Sequence, residues 1–81
     1  MAVSKAAVET YVFNYFRRNW PSAKLGTSLR GTPGLGLDEY DIYDVGRDLR
    51  HHPWTGAYTP NEFQQCKKIK DIVDLIWTKV N

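Results

Sequence analysis

Three stretches of this chain place apolar residues three and four positions apart, and none alternates for long with the period of two that a half-buried strand needs. Val8, Tyr11, Val12 and Tyr15 mark the first. Ile42, Val45 and Leu49 mark the second, and Ile69, Ile72, Val73, Ile76 and Val80 the third. Such spacing draws one apolar stripe along a helix. The chain is therefore expected to be all-α, and its prolines and glycines decide where each helix stops.

The first helix is expected from about Ser4 to Arg18. Ser4 suits the N-cap, Arg17 and Arg18 suit the negative end of the helix dipole, and Pro21 forbids continuation. Phe13 and Phe16 widen its apolar side, as a helix packed on two neighbours requires. Residues 21–37, with Pro21, Gly26, Gly31, Pro33, Gly34 and Gly36, read as a long loop. Leu25, Leu29, Leu35 and Leu37 are its expected pins to the core.

Asp38 opens the second helix as N-cap, with Asp41 three residues on in a shorter version of the capping box. Gly46 costs that helix about 1 kcal/mol relative to alanine, which points to a close helix contact there. His51-His52-Pro53 ends it. Thr59-Pro60-Asn61-Glu62 sets an N-cap residue, a proline at the first position and a glutamate at the third, so a short third helix starts here and fades near Gln65. The last helix follows almost at once, with Lys68, Lys70, Asp74 and Lys79 mostly off its stripe.

A chain of 81 residues makes one domain, residues 1–81, and a domain of this size buries only roughly 60% of its unfolded surface. Three Trp and five Tyr offset the small size, since large rings build a core from few residues. Cys66 is the sole cysteine, so no internal disulfide can form and a reducing compartment is the simpler reading. The first residues lack the apolar run of a signal peptide, and no segment approaches the roughly 20 apolar residues of a membrane span. A cytoplasmic monomer is expected.

Net charge is only +2, but its distribution is uneven. Residues 1–37 set Lys5, Arg17, Arg18, Lys24 and Arg30 against Glu9. Residues 38–52 set Asp38, Glu39, Asp41, Asp44 and Asp48 against Arg47 and Arg50. One acidic helix thus sits inside a mildly basic protein, and this asymmetry bears on partners more than the total does.

Leu35-Gly36-Leu37-Asp38-Glu39-Tyr40-Asp41 resembles the segment that opens the second helix of acyl carrier proteins, where the pattern reads Leu-Gly-x-Asp-Ser-Leu-Asp. Tyr58-Thr59-Pro60 stands in for that family's Ile-Pro step, and Lys68-Ile69-Lys70-Asp71-Ile72-Val73 is similar to its Thr-Val-x-Asp-Leu-Val segment. The resemblance covers nearly the whole chain. It implies a small four-helix acyl-carrier-protein-like bundle with a long loop between helices 1 and 2 and a short third helix. The departures are as specific as the matches. Glu39 occupies the place of the serine that carries the phosphopantetheine arm, and a carboxylate cannot take that arm from coenzyme A. The long loops are about two residues longer, and the chain is basic where carriers are acidic.

In carriers the second helix docks on basic patches of partner enzymes, so the resemblance implies a partner-binding surface at Glu39, Asp41, Asp44 and Asp48, with i, i+3 and i+4 spacing placing these carboxylates together. Trp20, Trp54, Tyr58 and Trp77 do not all fit in so small a core, and Trp54, on a turn between Pro53 and Gly56, is the ring expected beside that surface. His51, His52 and Cys66 do not have the spacing of a zinc site, and no base is placed to activate Cys66. Arg17, Arg18, Lys24 and Arg30 with Trp20 form a basic-aromatic patch with fewer cations than the roughly six to ten phosphate contacts of strong nucleic-acid binders, and the acidic helix would repel a duplex.

The expected function is therefore that of a non-enzymatic protein-binding module without cofactor or metal, docking a basic protein surface through its second helix. Two alternatives stand beside it: a genuine acyl or peptidyl carrier with atypical attachment, and a small inhibitor or immunity-type protein.

Overall fold

The computed structural model describes residues 3–50 and 59–80. Four helices and no strand occupy the described residues, so the chain is all-α. They are α1 (Lys5–Phe16), α2 (Glu39–Leu49), a 3-10 helix (Pro60–Gln65) and α3 (Ile69–Val80). None is long and apolar enough to cross a membrane. His51, His52, Trp54 and Tyr58 lie outside the described residues.

Each of the first three helices starts where local chemistry satisfies its orphan N–H groups. The Ser4 hydroxyl accepts from the Ala7 amide at 3.1 Å. Asp38 and Asp41 form a reciprocal capping box: the Asp38 carboxylate accepts from the Asp41 amide at 2.8 Å, and the Asp41 carboxylate accepts from the Asp38 amide at 3.1 Å. The Glu62 carboxylate takes the Thr59 amide at 2.7 Å, with Pro60 at the first helical position.

α1 stops two residues before the expected end. Arg17 is its C-cap, so neither Arg17 nor Arg18 lies in the last helical turn. The Arg17 guanidinium instead donates to the Ala23 carbonyl at 2.9 and 3.1 Å and lies 4.1 Å from the centre of the Phe13 ring. Val8, Val12 and Phe16 carry the fully buried face, while Tyr11 and Tyr15 sit at its edge with their hydroxyls turned to α2.

α1 packs against α3, whose Ile69, Ile72, Val73 and Ile76 are buried, and α2 packs against the 3-10 helix. Gly46 is the closest approach in that second pair. A Cβ there would come within 2.9 Å of the Pro60 Cα, a distance that real Cβ atoms do not tolerate. Pro60 and Phe63, three apart in a helix of three residues per turn, both face inward. The two pairs share one core of Phe16, Leu29, Ile42, Leu49, Phe63 and the α3 isoleucines. Lys79 pairs with Glu62 at 2.9 Å and ties the end of α3 to the start of the 3-10 helix.

The long loop is built rather than loose. Its segment from Leu25 to Leu29 runs antiparallel to the start of α3, with a single bridge between Ser28 and Lys68. The Leu29 amide donates to the Lys67 carbonyl at 2.9 Å, and the Thr27 and Leu25 carbonyls accept from the Ile69 and Lys70 amides at 3.1 and 2.9 Å. The loop thereby satisfies part of the α3 N-terminus. Asp71 completes it, taking the Lys67 and Lys68 amides at 2.9 and 3.1 Å. Those N–H bonds, Lys67's first, hold the Asp71 carboxyl below its ordinary range. Leu29 is fully buried, and Leu25, Leu35 and Leu37 pack against the core from its edge. Gly36, with φ at +67°, makes the bend that brings the chain from the loop into α2.

Candidate functional site

The α2 surface splits into two flanks. At about 100° per residue, taking the buried stripe of Ile42, Val45 and Leu49 as centre, Asp41, Asp44 and Asp48 fall on one side. Glu39 and Tyr43 fall on the other, and Tyr40 points nearly opposite the stripe. The expected surface of Glu39, Asp41, Asp44 and Asp48 is thus divided in space: i, i+3 and i+4 spacing joins Asp41, Asp44 and Asp48, and Glu39 stands across the stripe.

The aspartate flank faces α1 and the loop. Asp41 and Asp44 border a small hollow of about 160 Å³ together with Tyr15 and Trp20. All three aspartates are exposed, yet each is engaged. Asp41 closes the capping box. Asp44 pairs with Arg47 at 3.2 Å. Asp48 accepts from the Tyr15 hydroxyl at 2.8 Å, and burial, followed by this bond, pushes the Tyr15 phenol above its ordinary pKa.

The glutamate flank faces the 3-10 helix. Glu39, Tyr40 and Tyr43 from α2, with Asn61 and Gln64 from the 3-10 helix, line an open groove of about 300 Å³. Asn61 and Gln64 are three apart, so a 3-10 helix points both to the same side. Tyr40 is 74% exposed and Tyr43 41%. The Glu39 carboxylate makes no hydrogen bond or ion pair among the described residues. The floor of the groove is fixed. Gln64 donates from its side chain to the Glu39 carbonyl at 2.8 Å, and behind it Arg30 donates to the Gln64 and Cys66 carbonyls, both at 2.9 Å.

Sequence reasoning missed this groove. Tyr40 and Tyr43 lie off the apolar stripe of α2, and a large ring off the stripe was the available signal. Gln64 and Arg30 left none, since their contacts join residues 25 and 34 positions apart.

The other candidates are less available. Of the basic patch, Arg17 and Arg30 spend their guanidinium groups on backbone carbonyls. The fold builds a different cationic surface, where Lys24 on the loop runs beside Lys67, Lys68 and Lys70, all exposed. Cys66 is buried, and burial pushes its thiol up to about 12, far from a reactive thiolate. Trp20 covers the loop junction, its ring 6.3 Å from that of Phe16. Trp77 is 38% exposed, with Lys5 over its ring and its indole N–H donating to the Val3 carbonyl at 3.2 Å. Among the described residues no group of three or more His, Cys, Asp or Glu is placed to hold a metal ion.

No family model matches the chain, and no curated protein or solved structure does.

Proposed function

We propose that this chain is a non-enzymatic protein-binding module of acyl-carrier-like fold, which docks a basic protein surface through α2 and carries no prosthetic arm. The observation that carries the reading is Glu39. It is the first residue of α2, inside the Asp38–Asp41 capping box, and its side chain is exposed and unpaired among the described residues. By the resemblance of the Leu35–Asp41 segment, this is where a carrier would present its serine hydroxyl. Attaching the arm requires a deprotonated hydroxyl oxygen to attack the β-phosphorus of coenzyme A, breaking the pyrophosphate bond, expelling adenosine 3′,5′-bisphosphate and leaving a stable phosphodiester. A carboxylate attacking the same atom would give a mixed anhydride, which water cleaves.

What remains is a carrier's docking element without its chemistry. α2 presents Glu39, Asp41 and Asp44 in its first two turns, on a protein that is otherwise basic. Complementary charge of this kind raises association rates and selects partners more than it adds affinity.

The test is mass spectrometry of the protein co-expressed with a broad-specificity phosphopantetheinyl transferase. The wild type keeps its unmodified mass, whereas Glu39→Ser gains the phosphopantetheine adduct. An adduct on the wild type would overturn the non-carrier reading. Failure of a folded Glu39→Ser variant to be modified would count against the acyl-carrier-like fold.

A further inference from the structure

We propose that the groove between α2 and the 3-10 helix is the anchor point of this docking surface and receives an arginine side chain of the partner, its guanidinium paired with Glu39 and lying against the Tyr40 and Tyr43 rings. The inference rests on the docking reading above and names the chemistry that the site recognises.

Three features of the groove select a planar cation. Glu39 supplies a carboxylate that no described residue neutralises, and a two-oxygen acceptor matches the parallel N–H bonds of a guanidinium. Tyr40 and Tyr43 supply exposed ring faces, which attract a cation through the ring quadrupole. The side-chain amide of Asn61 supplies an oxygen acceptor on the opposite wall for a remaining N–H group, while the Gln64 side-chain oxygen is already held by Arg30 at 3.3 Å. An anionic or purely apolar side chain would leave the Glu39 charge uncompensated.

Three positive charges oppose a cation here, and the nearest, the Arg30 guanidinium, is already bound to the Gln64 and Cys66 carbonyls and to the Gln64 side-chain oxygen. The positive end of the α2 dipole amounts to about half an elementary charge, and the carboxylates of Asp38, Glu39 and Asp41 in the cap and first turn outweigh it. Arg47, one turn beyond Tyr43, is drawn aside by its pairing with Asp44. The groove therefore favours a cation. Its floor is also fixed before any partner arrives, because Arg30 holds the 3-10 helix backbone at Gln64 and Gln64 holds the Glu39 backbone. Binding then costs little ordering of the protein.

The experiment is a heteronuclear NMR titration of the whole chain with N-acetyl-arginine amide. The neutral urea isostere N-acetyl-citrulline amide and N-acetyl-lysine amide are titrated in parallel. The arginine probe should give saturable shifts centred on the amides of residues 39–43, 61 and 64. Its affinity should exceed that of the citrulline probe by roughly tenfold, the combined size of an exposed ion pair and an exposed cation–π contact. Lysine should fall between them. Glu39→Gln and Tyr40→Ala, both at exposed positions that leave the fold intact, should each remove the arginine preference.

Equal response to citrulline, shifts that do not saturate, or shifts centred on Asp41, Asp44 and Asp48 would overturn the assignment. A basic partner still captured by Tyr40→Ala as by the wild type would sink the groove while leaving docking through α2 standing. Loss of phosphopantetheine resistance would strike the parent reading alone.

Discussion

The two flanks of α2 carry the same kind of charge and differ in what that charge is already doing. On the flank toward α1, Asp41 caps the helix, Asp44 holds Arg47 and Asp48 receives the Tyr15 hydroxyl. On the flank toward the 3-10 helix, Glu39 is engaged through its backbone carbonyl but not through its carboxylate, and it stands beside two exposed tyrosines. A count of acidic residues treats the flanks alike. A partner does not, because a carboxylate with no internal contact to give up can be paired at a lower cost.

The largest expected effect comes from breaking the support of the glutamate flank. Gly46→Ala places a methyl against the Pro60 backbone, where a Cβ would lie 2.9 Å from the Cα. Overpacking of about 1–3 kcal/mol outweighs the gain in helix propensity of about 1 kcal/mol, giving a net loss of up to about 2 kcal/mol in chemical denaturation. The 3-10 helix should shift away from α2 with it. If Gly46→Ala were stabilising, the close contact that builds the groove would be refuted.

Next in size is the contrast between carboxylates. Asp41→Ala removes half of the capping box and should cost about 0.5–2 kcal/mol. Glu39→Gln should change stability by no more than about 0.5 kcal/mol, as an exposed substitution away from any internal contact does. Thermal melts of the two variants side by side sharpen the comparison, and equal losses would dissolve it.

The smallest effect is a dependence on pH. Asp71 has its folded pKa lowered by the Lys67 and Lys68 amides, so it binds fewer protons folded than unfolded just below its unfolded pKa. Its contribution is present above about pH 4 and is lost as pH falls through the folded value. Melting temperatures recorded downward from pH 5 should therefore fall less steeply for Asp71→Asn than for the wild type. An unchanged slope would show that the carboxylate does not anchor the α3 N-terminus.

The sequence carried the parts of this molecule that are local. The N-cap at Ser4, the capping box at Asp38 and Asp41, and the proline-led start at Thr59 each depend on atoms within four residues. The α3 stripe was equally legible, because Ile69, Ile72, Val73 and Ile76 repeat one spacing and meet one neighbour. Gly46 was readable too, since a glycine inside a helix needs a reason and close packing is the commonest. The end of α1 was less so. Arg17 looked like a last-turn cation, but the Ala23 carbonyl competes for it from across a turn.

What the sequence concealed is what depends on separation along the chain. Leu25 to Leu29 reads as loop, yet its carbonyls complete the start of α3. Arg30 reads as a surface cation, yet it clamps the carbonyls that set the groove floor. The division of α2 into flanks was within reach of angular arithmetic alone. The meaning of the glutamate flank was not, because Asn61 and Gln64 had to be brought to it by the 3-10 helix.

The central claim, that α2 is the docking element, is tested most directly by affinity capture with charge-reversed bait. Wild-type protein, a Glu39→Lys/Asp44→Lys variant and a Lys67→Glu/Lys68→Glu variant are compared at low and high salt, with helical circular dichroism confirming each fold and the captured proteins identified by mass spectrometry. Basic proteins enriched by the wild type should be lost with the α2 variant and lost at salt that shortens the Debye length to about 3 Å, yet kept by the lysine variant. Capture that survives reversal of α2 and disappears with Lys67 and Lys68 would contradict the account and move the interface to the cationic surface beside Lys24.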